Sequence, residues 1–107
     1  MIQSAILEVI NRCKTALEAH YGLQFKGLVL YGSFSRSQAG PLSDIDLLVL
    51  LNKPFDYFQE LRRIIDLLYP IQLDSERLIS AKPASLDEFE RGSIQLYQNA
   101  KREGELL

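Results

Sequence analysis

Two short apolar runs constrain this chain more than any other feature: "GLVLY" at residues 27–31 and "DIDLLVLL" at residues 44–51. Beyond the two aspartates that open the second run, neither alternates with polar residues. Each therefore reads as a strand buried on both faces. A sheet of such strands has to be packed with helices, which places the chain in the α/β class.

The helices follow from apolar spacing. Ile6, Ile10, Cys13 and Leu17 recur every three or four residues and predict an amphipathic helix over 3–20, with Gly22 as its stop. Cys13 lies on that stripe and reads as a core residue. His20, at the helix end, meets the favourable end of the helix dipole. Gly27–Tyr31 is the first strand, and residues 34–43 read as a short helix or turn followed by a loop. After the strand Asp44–Leu51, Asn52 and Pro54 signal a helix start. Phe55, Phe58, Leu61, Ile65 and Leu68 form the expected buried stripe, and Pro70 is expected to close the helix. Residues 71–80, "IQLDSERLIS", read as a third, more polar strand. Ser85-Leu86-Asp87-Glu88 matches a capping box. The helix it opens is expected to run to about Arg102, burying Leu86, Phe89, Leu96 or Tyr97, and Ala100. The expectation is one α/β domain over 1–107, with a small mixed three-stranded sheet packed with helices.

Composition excludes several function classes. At 107 residues there is room for one core, and a net charge of −2 with no basic run gives no footing for DNA. The opening "MIQSAILEVI" lacks the basic start of a secretory signal. No apolar stretch approaches the ~20 residues needed to span a bilayer. The single cysteine precludes an internal disulfide and fits a reducing compartment, so a cytoplasmic protein with no membrane association is expected.

Chemistry concentrates between residues 31 and 50. In a strand, residues i and i+2 project from one face, so Asp44 and Asp46 point the same way while Ile45, Leu47 and Val49 point the other. Two carboxylates at the mouth of a buried strand repel each other unless a cation holds them. Mg²⁺ does this with one or two carboxylates plus phosphate oxygens. Upstream, the turn at Gly32-Ser33 offers backbone N–H groups and a hydroxyl suited to a phosphate. Arg36 could add a charge-assisted contact. A solvated turn with charged trim is the plain alternative.

The combination Gly32-Ser33-x-x-Arg36, a short spacer, then Ser43-Asp44-x-Asp46-Leu47 resembles the signature of DNA polymerase beta-like nucleotidyltransferases. Over nearly its whole length the chain is similar to their smallest members, the minimal nucleotidyltransferases. The resemblance implies transfer of a nucleoside monophosphate from ATP or another NTP, AMP where the donor is ATP, to a hydroxyl on a protein or small molecule. It assigns Gly32, Ser33, Arg36 and Ser43 to the nucleotide, and Asp44 and Asp46 to Mg²⁺ and catalysis. It also implies a helical HEPN-type protein partner, often as toxin and antitoxin; a homo-oligomer is compatible with it. Two departures stand out. Ser37 occupies a position where glycine usually follows the arginine. Active relatives carry a third acid on the next strand, about nine residues before the Phe of the capping segment, and here that position is Ser80. Asp74 and Glu76 share its face on the expected strand and are the remaining candidates; solvated charges on an edge strand are the other reading of both. A weakly active or inactive nucleotide-binding partner module of the same fold is therefore the alternative function. A small nucleotide- or metal-binding domain of unrelated chemistry is a third.

Overall fold

The two apolar runs pair with each other. In the computed structural model, which describes residues 4–32 and 44–107, β1 (Phe25–Tyr31) lies antiparallel to β2 (Ile45–Leu51). Leu28 stands opposite Val49 and Tyr31 opposite Asp46. β3 (Ile79–Ser85) runs parallel to β2 on its other side, and a two-residue β4 (Glu105–Leu106) pairs antiparallel with β1. The sheet order is β3-β2-β1-β4.

Alternation along the strands divides the core in two. Leu28, Leu30, Ile45, Leu47, Val49 and Leu51 face α1 (Ser4–Tyr21) and α2 (Tyr57–Asp74), where Ile6, Ile10, Cys13, Leu17, Ile64 and Leu68 complete the larger cluster. Val29, Leu48 and Leu50 face the other way and meet Ala84, Phe89, Tyr97 and Ala100. Phe89 belongs to α3 (Leu86–Arg91), and Tyr97 and Ala100 to α4 (Gln95–Glu103). From Leu47 to Leu51 no side chain of β2 exceeds 2 % exposure. Burying each such leucine or valine contributes about 1.5–3 kcal/mol, so the sheet centre carries much of the stability.

Several expectations hold. α1 ends at Tyr21 beside Gly22, Cys13 is buried, and burial raises its thiol pKa to about 11. Exposed His20 sits in the last turn of α1 and meets Tyr21 edge-on at 4.8 Å. Ser85 caps α3, its hydroxyl accepting from the Glu88 N–H at 3.3 Å. Both faces of β1 and β2 are covered, as their continuous apolar runs require.

Others are corrected. The sheet has four strands, not three, because the chain after α4 turns back onto the free edge of β1. Leu107 N–H donates to Leu28 O at 2.8 Å there. The closing helix is two helices, separated where Gly92 adopts φ +62°. α2 starts at the Asp56 cap, whose side chain accepts from Gln59 N–H at 2.9 Å, and it continues through Pro70 to Asp74. Proline removes one helical hydrogen bond. The turn beyond it is held by buried Ile71 and by Gln72, whose side-chain amide donates to Arg77 O and accepts from Ile79 N–H. The buried stripe of α2 is Glu60, Ile64, Leu68 and Ile71; Phe58 is 70 % and Ile65 55 % exposed. Of the expected stripe Leu68 is in the core and Phe55 packs partly buried against it, while Phe58 and Ile65 miss it because α2 carries apolar residues on two sides. Residues 71–74 are therefore helical, and the third strand begins only at Ile79. The short helix or turn expected over 34–43 lies outside the described residues.

Candidate active site

Antiparallel pairing of β1 with β2 brings the exit of one strand to the entrance of the other. β1 ends at Tyr31 and passes into Gly32, while Asp44 leads directly into β2. Tyr31 is the register partner of Asp46, so Gly32 arrives beside the Asp46 carboxylate. Gly32 has φ +77°, a conformation L side chains rarely adopt. A Cβ at Gly32 would overlap Asp46 Oδ2 and lie 3.3 Å from Asp46 Cγ. Only glycine allows the carboxylate to sit against the turn. Asp46 is half-buried and Asp44 exposed.

Tyr31 is a site neighbour that motif reasoning missed. Burial first, then the Asp46 charge, and then Tyr57 and Tyr97, push its hydroxyl up to about 12. Tyr31 thus stays protonated and neutral next to the acid. Its signal in the sequence was position alone: it immediately precedes Gly32 on an in-register strand.

Gly32, Asp44 and Asp46 are brought to one end of the β1–β2 pair. Ser33, Arg36 and Ser43 lie outside the described residues. Asp74 and Glu76 are not strand residues. Asp74 ends α2 and its Oδ2 accepts from Arg12 of α1 at 3.2 Å. Glu76 sits in the turn before β3, which is organised by Ser75: its hydroxyl donates to Arg77 O at 2.9 Å and accepts from Arg77 N–H at 3.1 Å. The β3 residue in register with Asp46 is Ser80, and Lys82, two residues on, shares its face. Among the described residues no group of three or more His, Cys, Asp or Glu side chains could hold a metal ion.

The donor chemistry nevertheless suits one hard cation. Asp44 and Asp46 supply carboxylate oxygens, and the space kept free of a side chain at Gly32 leaves Asp46 abutting the turn where a phosphate would approach. Such a set leaves most positions around Mg²⁺ to phosphate oxygens and water.

A nucleotidyltransferase domain model matches residues 10–100, most of the chain. The chain belongs to the nucleotidyltransferase family. A candidate protein adenylyltransferase of Methanocaldococcus jannaschii is 30 % identical over 106 residues, covering 98 % of this chain and 96 % of that protein. Solved structures share the nucleotidyltransferase fold at 18 % identity. One is from a toxin–antitoxin pair, MntA-HpeT, with TM-score 0.60 over 92 % of this chain and 70 % of that one. Another is a candidate nucleotidyltransferase of Sulfolobus solfataricus, with TM-score 0.54 over 99 % and 87 %. The protein is accordingly a nucleotidyltransferase enzyme, with an α/β domain built on a four-stranded mixed sheet. No helix among the described residues is long and apolar enough to cross a membrane.

Proposed function

We propose that this nucleotidyltransferase moves AMP from ATP to a hydroxyl of a partner protein, with Mg²⁺ held by Asp44 and Asp46. The observation that carries the proposal is the Gly32 turn lying against the Asp46 carboxylate, which sets a candidate phosphate turn beside the acid pair. In the reaction the acceptor oxygen attacks the α-phosphorus and the bond to pyrophosphate breaks. The hydroxyl proton passes to water. Asp44 and Asp46 would hold the cation, and Gly32, Ser33 and Arg36 would hold the triphosphate oxygens. The bound ion would supply charge neutralisation on the departing pyrophosphate. In-line phosphoryl transfer asks mainly for this positioning and electrostatic support.

A protein acceptor is supported by the adenylyltransferase relative, and a partner by the MntA fold neighbour, whose structure is that of a toxin–antitoxin pair. A HEPN-type helical protein is the partner class we favour. The exposed apolar side chains Phe58, Ile65, Tyr69 and Leu73 on α2 also suit an interaction surface. A second reading, a weakly active nucleotide-binding partner module, is favoured by Ser80 standing beside Asp46 in place of an acid.

Titration of ATP with Mg²⁺ into the purified protein tests the common part. Binding is expected for the wild type and should weaken at least about tenfold, about 1.4 kcal/mol, in Asp46→Asn. Equal binding by Asp44→Ala and Asp46→Ala proteins would sink the proposal. Incubation with α-labelled ATP and the product of the neighbouring gene separates the two readings. Label on that protein, lost with Asp46→Asn, marks the enzyme; stable co-purification without label marks the partner module.

A further inference from the structure

We infer that this chain takes one divalent cation with its nucleotide, not two, and that Ser80 sets that number. The inference rests on the assignment of Asp44 and Asp46 made above. A pair of metal ions about 3.5–4 Å apart needs shared and additional carboxylates to offset its charge. Neighbouring strands lie about 4.8 Å apart, so on the side of Asp46 away from β1 the nearest in-register side chain on its face belongs to β3. There the parallel register places Ser80 directly beside Asp46, followed on the same face by Lys82. A neutral hydroxyl adds no charge to a metal site, and a lysine next along the strand opposes a second cation.

No other acid of this chain fills the gap. Residues 1–3 and 33–43 contain no Asp, Glu, His or Cys, so every such side chain falls among the described residues. No three of them could hold a metal ion together. Asp74 is tied to Arg12 on α1, and Glu76 belongs to the turn before β3, where the ladder has not yet begun. β3 therefore brings hydroxyl and ammonium groups, not carboxylate, to the side of Asp46 where a second ion would need support.

Counting bound Mn²⁺ in the presence of saturating α,β-methylene ATP, by native mass spectrometry of the full chain, tests this. One ion per wild-type chain is expected, and two for Ser80→Asp or for Ser80→Asp with Lys82→Met. The double variant guards against Lys82 simply pairing with the new acid. Two ions on the wild type would overturn the inference while leaving the Asp44/Asp46 assignment intact, as would a count of one in both variants. A wild type that retains none would remove the inference together with that assignment. The wild-type count decides even where a variant fails to fold.

Discussion

Odd- and even-numbered residues of β2 lead different lives on one strand. Ile45, Leu47, Val49 and Leu51 press against α1 and α2 in a closed aliphatic layer. Asp46, Leu48 and Leu50 face the layer of α3 and α4, and the series begins with a half-buried carboxylate. Chain order explains the asymmetry. β3 runs parallel to β2 and leads into α3 only after Ser85, which stands opposite Leu51. The helices of that face therefore start from the far end of β2, at Leu50 and Ala84, and among the described residues the Asp46 end meets Tyr31 and the Gly32 turn. A single period-two pattern thus separates stability from chemistry within seven residues.

Substitutions on alternate residues test that separation, and the largest stability effect belongs to the odd set. Leu47→Ala should cost about 2–5 kcal/mol in urea unfolding, since Leu47 has no exposed surface. The folded fraction should still bind ATP. Asp46→Asn should do the reverse, lowering the unfolding free energy by no more than about 1 kcal/mol while binding weakens. If Leu47→Ala abolished nucleotide binding in protein that remains folded, the two sets would not be independent. Gly32→Ala should cross the boundary and affect both readouts. A non-glycine residue at positive φ costs about 1–2 kcal/mol, and the added methyl displaces the Asp46 carboxylate. Unchanged ATP affinity in that variant would show that the turn and the acid work separately.

How far the sequence discloses this arrangement depends on whether an interaction is local or between segments. β1, β2, α1, the Ser85 cap and the facing of Asp46 were legible because each follows from spacing within a few residues. The extent of α2 was not. Pro70 reads as a stop, yet Ile71 in the core and the hydrogen bonds of Gln72 to Arg77 and Ile79 carry the helix past it. The helix extends four residues past Pro70 and the strand starts at Ile79, not 71, which removes Asp74 and Glu76 from β3 and with them both candidates for a third acid. Glu60 was invisible for a related reason. Its buried carboxylate is tolerated because Tyr21 donates to it at 2.9 Å and Arg63 lies at 3.5 Å, and the tyrosine comes from another helix. The pairing of Ser80 with Asp46 likewise needs the parallel register, which no count along one segment supplies.

A smaller effect probes the far end of the acid-bearing face. Ser85→Ala removes the acceptor for Glu88 N–H and should cost about 1 kcal/mol, leaving ATP affinity unchanged because the cap lies opposite Leu51 and away from Asp46. A loss of affinity would mean that α3 transmits strain along β2 to the site.

The least effect at neutral pH is expected at Tyr31, and there pH is the sharper instrument. Burial and the Asp46 charge raise its hydroxyl from the ordinary value of 10 to about 12 in the folded protein. The folded state then binds the proton more tightly than the unfolded chain does. This contribution is full below pH 10 and is lost as the pH rises through about 12. Tyr31→Phe keeps the ring packed against the Val29, Leu48 and Tyr97 cluster and removes the ionisation. Its stability should match the wild type near pH 7 and fall less steeply between pH 10 and 12, followed by urea titration at each pH. Tyr21, raised by burial and by its hydrogen bond to Glu60, adds its own alkaline loss from the opposite face, so Tyr31→Phe should flatten the decline without abolishing it. An unaltered alkaline slope would mean that neither burial nor the Asp46 charge holds the proton on Tyr31 in the folded protein.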